Sequence, residues 1–276
     1  MKGGVASATA YAAEVGRIER WRRQNRACRY TIYALIGAFV LWSVEAIVGG
    51  DTDWARITLA GIVKASARFL RLDFSILPDL LAPALETLLM ATLATLLGLI
   101  LAVPVTWLGA LNISPLGKFS YGTGRMLMTV SRSVHEIVWG LIFVAAVGLG
   151  SLAGILAMAI RSIGFISKTV AEAIEDVDHK PLEAMRAVGA NKFQILWYGI
   201  LPQVIPVFLG NVIFEWDVNV RRSTIMGLVG AGGLGLALHR QMASYNFGGV
   251  AMVILVILGL IILGEVLSYY GRKAVL

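Results

Sequence analysis

Six runs of about twenty mostly apolar residues, at 30–48, 80–108, 125–147, 152–171, 200–218 and 249–270, constrain this chain more than anything else in it. A helix of about 20 residues spans a hydrocarbon core of about 30 Å and satisfies its own backbone hydrogen bonds on the way. The longest run, 80–108, is long enough to cross at a tilt. The expected fold is therefore all-α, a polytopic membrane protein with about six transmembrane helices. Composition agrees: 58% of residues are hydrophobic and 15% charged, against about 25% charged in soluble domains.

The connections carry the charge. Residues 1–29 form a basic tail with Lys2, Arg17, Arg20, Arg22, Arg23, Arg26 and Arg29, and no cleavable signal is evident. Tyr33 and Trp42 suit interfacial anchoring of the first span. In segment 49–79, Arg56, Lys64, Arg68 and Arg71 fall near one helical face, and Ile57, Ile62, Phe69 and Leu72 supply apolar surface. That pattern predicts an extracytoplasmic amphipathic helix lying on the membrane; a solvated charged face is the plainer alternative. Turns are expected at 112–124 and at Gly148–Ser151, a polar loop at 172–199, and a Gly-rich extracytoplasmic or re-entrant segment at 219–248. With the N-terminus cytoplasmic, fifteen Lys and Arg fall on the inner side against seven outside. This favours both termini on the cytoplasmic side.

Within 172–199 lies a polar island, Pro181-Leu182-Glu183-Ala184-Met185-Arg186-Ala187-Val188-Gly189-Ala190. Pro181 suits a first helical turn, and Leu182, Met185 and Val188 share one face. Gly189 ends that helix, Asn191 can cap another, and Phe193 and Leu196 continue an apolar face. The product is a helix–glycine–helix hook suited to a partner's groove. A DNA-reading helix-turn-helix shares the pattern, but apolar segments close in on both sides and pin the hook against a bilayer, so no nucleic acid partner is expected.

Catalytic and nucleotide motifs fail on context. Gly230–Gly235 satisfies G-x-G-x-x-G, but position 255, where a dinucleotide site needs an acid, is Leu. These glycines are expected to permit close backbone approach. Gly117-Lys118 is followed by Phe119 and no P-loop is recognisable, so any ATP chemistry must come from a partner. Cys28 stands alone, and three scattered histidines form no ligand cluster; no cofactor or metal is expected in the chain. Two polar clusters remain. In the third run, Thr129, Ser131, Arg132, Ser133, His135 and Glu136 stand together, with Glu136 at i+4 from Arg132 for an intrahelical pair. They line an anion path or cross-link spans, and Arg161 is a lesser candidate. At the outer end of the fifth run, Glu215, Asp217, Asn219, Arg221, Arg222, Ser223 and Thr224 suit an oxyanion or a salt-bridged helix end.

The hook resembles the cytoplasmic coupling loop of ABC-importer membrane subunits. That pattern is Glu-Ala-Ala, three residues, Gly, nine residues, Ile-x-Leu-Pro; Glu183, Ala184, Gly189, Leu201 and Pro202 match it, whereas Met185 and Gly199 depart from it. The runs Ser131–Glu136, Val147–Gly150, Val218–Thr224 and Gly227–Gly233 are similar to those of phosphonate-type importer permeases over most of residues 75–270. The resemblance implies a type I ABC importer permease working as a homodimer. An ATPase dimer holding ATP and Mg would dock on residues 181–187, 189 and 190, and an extracytoplasmic binding protein would deliver a phosphonate- or phosphite-type oxyanion. The substrate path would run past Ser131, Arg132, His135, Glu136, Asn219, Arg221 and Arg222. Alternatives are a methionine- or betaine-type permease, a secondary transporter coupled through Arg132 and Glu136, or a membrane enzyme, which lacks a catalytic constellation.

Overall fold

A computed structural model describes residues 21, 25–26, 28–49 and 58–275. Most of the expected basic tail and residues 50–57 of the expected amphipathic segment, Arg56 and Ile57 included, lie outside the described residues. The chain divides into two units, 1–65 and 66–276. In the first, α1 (Cys28–Ile47) is exposed along nearly its whole length, and its end widens into a π-helical turn at Glu45–Gly49. The division falls within helix α2 (Leu59–Phe69), which begins where Thr58 Oγ1 accepts the Gly61 amide at 3.1 Å. It carries Lys64 and Arg68 together with exposed Ile62 and Phe69.

The second unit is a helical bundle. In order come α3 (Leu77–Gly109), α4 (Lys118–Ser133), α5 (Glu136–Val147), α6 (Ser151–Glu175) and α7 (His179–Ala187). A short α8 (Lys192–Gln194) passes through a π-helical stretch, Ile195–Ile200, into α9 (Leu201–Met226); α10 (Gly233–Ala243) and α11 (Phe247–Val275) complete it. The described residues contain helices and no strand. The expected runs 80–108, 152–171 and 249–270 each fall inside one helix, and 200–218 lies within the continuous stretch Lys192–Val229.

Small residues let these helices approach closely, as apolar environments favour. Along α3, Ala91, Ala94 and Ala102 are fully buried, and Ala157 and Ala159 of α6 match them. A Cβ on Gly98 would lie 2.5 Å from the Ser162 Cβ, and one on Gly124 would lie 2.5 Å from the Gly109 amide nitrogen. The α3–α6 and α3–α4 contacts thus depend on glycine at these two points.

Two expectations change. Residues 125–147 do not form one straight span: Val134 is extended (φ −93°, ψ 130°) and α4 and α5 meet at 89°. His135 starts α5 as its N-cap, with Nδ1 accepting the Ile137 amide at 3.3 Å. The fifth run also continues eight residues past 218, to Met226. The polar cluster at 215–224 therefore lies inside a helix, not at its outer end.

Candidate functional site

The hook forms from local capping. Asp178 accepts the Lys180 amide at 3.0 Å to start α7. After Ala187 the chain turns through Gly189 at φ +85°, and the Ala190 amide donates to the Met185 carbonyl at 3.0 Å. Asn191 and Gln194 then exchange reciprocal 2.8 Å bonds in a capping box. Leu182 is buried, Met185 and Ala190 are half-buried, and Pro181, Glu183, Ala184, Arg186, Ala187 and Gly189 are exposed. Val188, expected on the apolar face, is 85% exposed, because the helix has ended and Val188 occupies its C-cap.

The seat under the hook involves residues to which sequence reasoning assigned no role. A Cβ on Gly199 would lie 2.5 Å from Leu182 Cδ2 and 3.2 Å from Met185 Sδ. The departure from Ile at this position therefore makes room for α7. Gln203 completes the seat: its Oε1 accepts the Asp178 amide at 3.0 Å and its Nε2 donates to the Gly199 carbonyl at 2.8 Å.

The expected pair of Arg132 with Glu136 does not form, since the break at Val134 destroys the helical i+4 register. Glu136 instead turns into the bundle, 3.2 Å from Arg161 Nε and 3.6 Å from Arg222 Nε. Arg222 Nη1 lies 2.7 Å from Glu215 Oε1, which also accepts from Ser162 Oγ at 2.9 Å. Asn219 donates to Thr95 and Ser162, each at 2.9 Å, and accepts from Arg222 at 3.2 Å. Glu215, Asn219 and Arg222 recur at helical spacing on one face of α9, so this buried network ties α3, α5, α6 and α9 together. Arg221, one residue on, points elsewhere and pairs with Asp217 at 2.7 Å and with Glu265 at 3.8 Å. The expected substrate-path residues are thus divided among several places. Ser131 is buried against α6, its hydroxyl donating to the Ile160 carbonyl and accepting the Gly164 amide at 3.1 Å. His135 is a cap.

Arg132 faces a separate cavity of about 470 Å³ between α4 and α6, bordered by Arg125, Met128, Thr129, Ser133, Arg161, Lys168 and Glu172. Arg125 is held by Glu175 at 2.6 Å and by the Gly109 carbonyl at 3.0 Å. Lys168 is 3.5 Å from Glu172.

The glycine run is packed. Gly230 and Gly232 have φ near +90°, and the Gly230 carbonyl accepts the Gly150 amide at 3.0 Å, joining the two glycine-bearing turns. At the start of α10, Glu86 Oε2 accepts the Gly233 amide at 3.1 Å and Thr87 Oγ1 accepts the Leu234 amide at 2.9 Å. The positive end of that helix is occupied by a carboxylate of α3, which suits its dipole. Sequence analysis assigned Glu86 no role, although an acid within an apolar run is the signal of a polar partner.

Comparison with known proteins agrees with this architecture. The family model described as "binding-protein-dependent transport system inner membrane component" matches residues 94–275. The phosphite transport system permease protein PtxC of Stutzerimonas stutzeri is 41% identical over 201 residues, 73% of each chain. The phosphate-import permease protein PhnE of Mycolicibacterium smegmatis is 40% identical over 195 residues, 71% of this chain and 36% of that protein. Among solved structures, a chain of the MetNI methionine ABC transporter in an inward-facing form aligns with a TM-score of 0.63 at 25% identity, covering 74% of this chain and 100% of that one. With its apolar helices, its membrane-type packing and a family match over two thirds of its length, this chain belongs to the binding-protein-dependent transport system inner membrane components, as a multi-pass permease subunit.

Proposed function

We propose that this permease imports phosphonate- or phosphite-type oxyanions as a pair of identical copies, driven by a separate ATPase dimer that binds ATP and Mg. The observation that carries the reading is the hook. Its apolar underside is seated on Gly199 and Gln203, and its exposed side presents Glu183, Ala184, Arg186 and Ala187 to a partner. An extracytoplasmic binding protein delivers the ion. Closure of the ATPase pair draws the two hooks together and turns the path outward; hydrolysis resets it.

The hook faces the cytoplasm in this reading. With the N-terminus cytoplasmic, the sequence assigns fifteen Lys and Arg to the hook side against seven opposite. The substrate class follows the relatives: the phosphite permease shares 41% identity with this chain, the methionine transporter chain 25%. A secondary transporter coupled through an Arg132–Glu136 pair loses its support, because Glu136 pairs with Arg161 and Arg222 instead.

The test uses proteoliposomes holding this chain with its genetically neighbouring ATPase and binding protein. ATP hydrolysis and uptake are recorded with methylphosphonate, phosphite, phosphate, methionine and betaine. Stimulation confined to the phosphorus oxyanions is expected. Stimulation by methionine or betaine alone would overturn the substrate class, and uptake driven by an ion gradient without the ATPase would overturn the mechanism.

A further inference from the structure

Three of the four cations bordering the α4–α6 cavity have carboxylate partners. Arg125 has Glu175 at 2.6 Å, Lys168 has Glu172 at 3.5 Å, and Arg161 has Glu136 at 3.2 Å. The Arg132 guanidinium has no hydrogen bond or ion pair among the described residues; only its backbone carbonyl is engaged, by Arg161 Nη1 at 3.1 Å. Arg132 sits in the last turn of α4, just before the 89° bend within a spanning pair. The side chain is exposed, and of the four bordering cations it alone lacks a carboxylate partner among the described residues, which leaves it open to a counter-ion.

The cavity suits a small anion. Seven of its eight bordering residues are polar or charged, with Met128 the exception, so its lining suits a charged group. A guanidinium fork matches two oxygens of a tetrahedral oxyanion, and a lysine adds a point charge. Lys168 and Glu172 lie in the last two turns of α6, the end that leads into the hook. The cavity therefore sits towards the hook end of the bundle.

We propose that Arg132, with Lys168 and Arg161 at the border, holds a phosphorus oxyanion at this end of the path, as the last station before release. This deepens the import reading above and rests on it. The buried network of Glu136, Glu215, Asn219 and Arg222 then positions α5, α6 and α9 without touching the ion. An anionic lipid headgroup carries the same phosphate chemistry and is the competing source.

The permease–ATPase complex is placed in phosphatidylcholine nanodiscs without binding protein, and equilibrium binding of radiolabelled phosphite is measured. Methylphosphonate should compete and methionine should not. Loss of a charge-assisted bond predicts that Arg132→Gln weakens binding about tenfold or more, with Arg132→Lys intermediate and Lys273→Gln unchanged. Membrane insertion and co-purification with the ATPase should be retained in each variant, which separates a binding defect from misfolding. Wild-type binding by Arg132→Gln/Lys168→Gln, with wild-type concentration dependence of phosphite uptake, would overturn this site while leaving the import reading standing. Retention of phosphatidylglycerol by wild type but not by Arg132→Gln, with no phosphite binding, would assign the cluster to lipid and overturn it. Uptake of methionine or betaine with no phosphite binding in any variant would overturn both.

Discussion

Leu182 fills the space that Gly199 leaves empty: a Cβ on Gly199 would fall 2.5 Å from Leu182 Cδ2. This contact sets how closely the exposed hook lies against the π-helical stretch that leads into α9. Gly199→Ile should overpack the seat at a cost of about 2 kcal/mol and reduce coupled ATP hydrolysis. Leu182→Ala in the same chain should restore much of it. A double-mutant cycle on stability in detergent checks this, with non-additivity of about 1 kcal/mol expected. Simple additivity would mean that the two residues do not share a seat.

Glu215 and Arg222, 2.7 Å apart and nearly buried, should behave as a structural pair. Glu215→Leu should destabilise the protein by about 3 kcal/mol, because it leaves a guanidinium buried without its main partner. Glu215→Leu/Arg222→Met should recover most of that loss. Arg132→Gln, by contrast, should leave stability unchanged. Thermal unfolding in detergent distinguishes the three.

The apolar runs made the helices legible, and the hook was readable from Gly189 and Asn191 because capping is local. The bend at Val134 was not. Neither Pro nor Gly marks it, and the extended backbone there comes with an N-cap at His135 and a bundle-facing Glu136, whose partners Arg161 and Arg222 are far along the chain. The i+4 spacing of Arg132 and Glu136 therefore misled: it has meaning only if the helix is continuous. Glu86 and Thr87 cap α10 across 147 residues of sequence, a pairing that no local pattern encodes. The fate of Arg221 and Arg222 was half legible, since adjacent residues on a helix diverge by about 100° and cannot serve one site together.

The α10 start offers a local test. Thr87→Val removes the acceptor for the Leu234 amide, a loss of about 1 kcal/mol that should speed exchange of that amide several-fold. Glu86→Gln keeps an acceptor for Gly233 and should act more weakly. Hydrogen exchange followed by mass spectrometry over 230–240 reads both; unchanged exchange in Thr87→Val would contradict the capping role.

Asp73, ahead of α3, accepts from the Ser75 hydroxyl at 2.5 Å, from its amide at 3.1 Å and from Asn246 at 3.4 Å. These bonds, the Ser75 hydroxyl foremost, hold its carboxyl below the usual range. A depressed acid contributes order above its unfolded pKa and loses it as pH falls through its folded value. The protection factor of the Ser75 amide, its exchange rate divided into the intrinsic rate at the same pH, should therefore fall on strong acidification and stay flat around neutrality. Asp73→Asn should remove that acid response.

The most direct test of coupling is Gly189→Pro in the assembled importer. At φ +85° the native turn is closed to proline, whose ring fixes φ near −65°. ATP hydrolysis and phosphite uptake are measured together in proteoliposomes, with membrane insertion and ATPase co-purification as controls. The expected result is normal insertion with uptake and substrate-stimulated hydrolysis both lost. Wild-type uptake and stimulation in Gly189→Pro would contradict the account and remove the hook from the transport cycle.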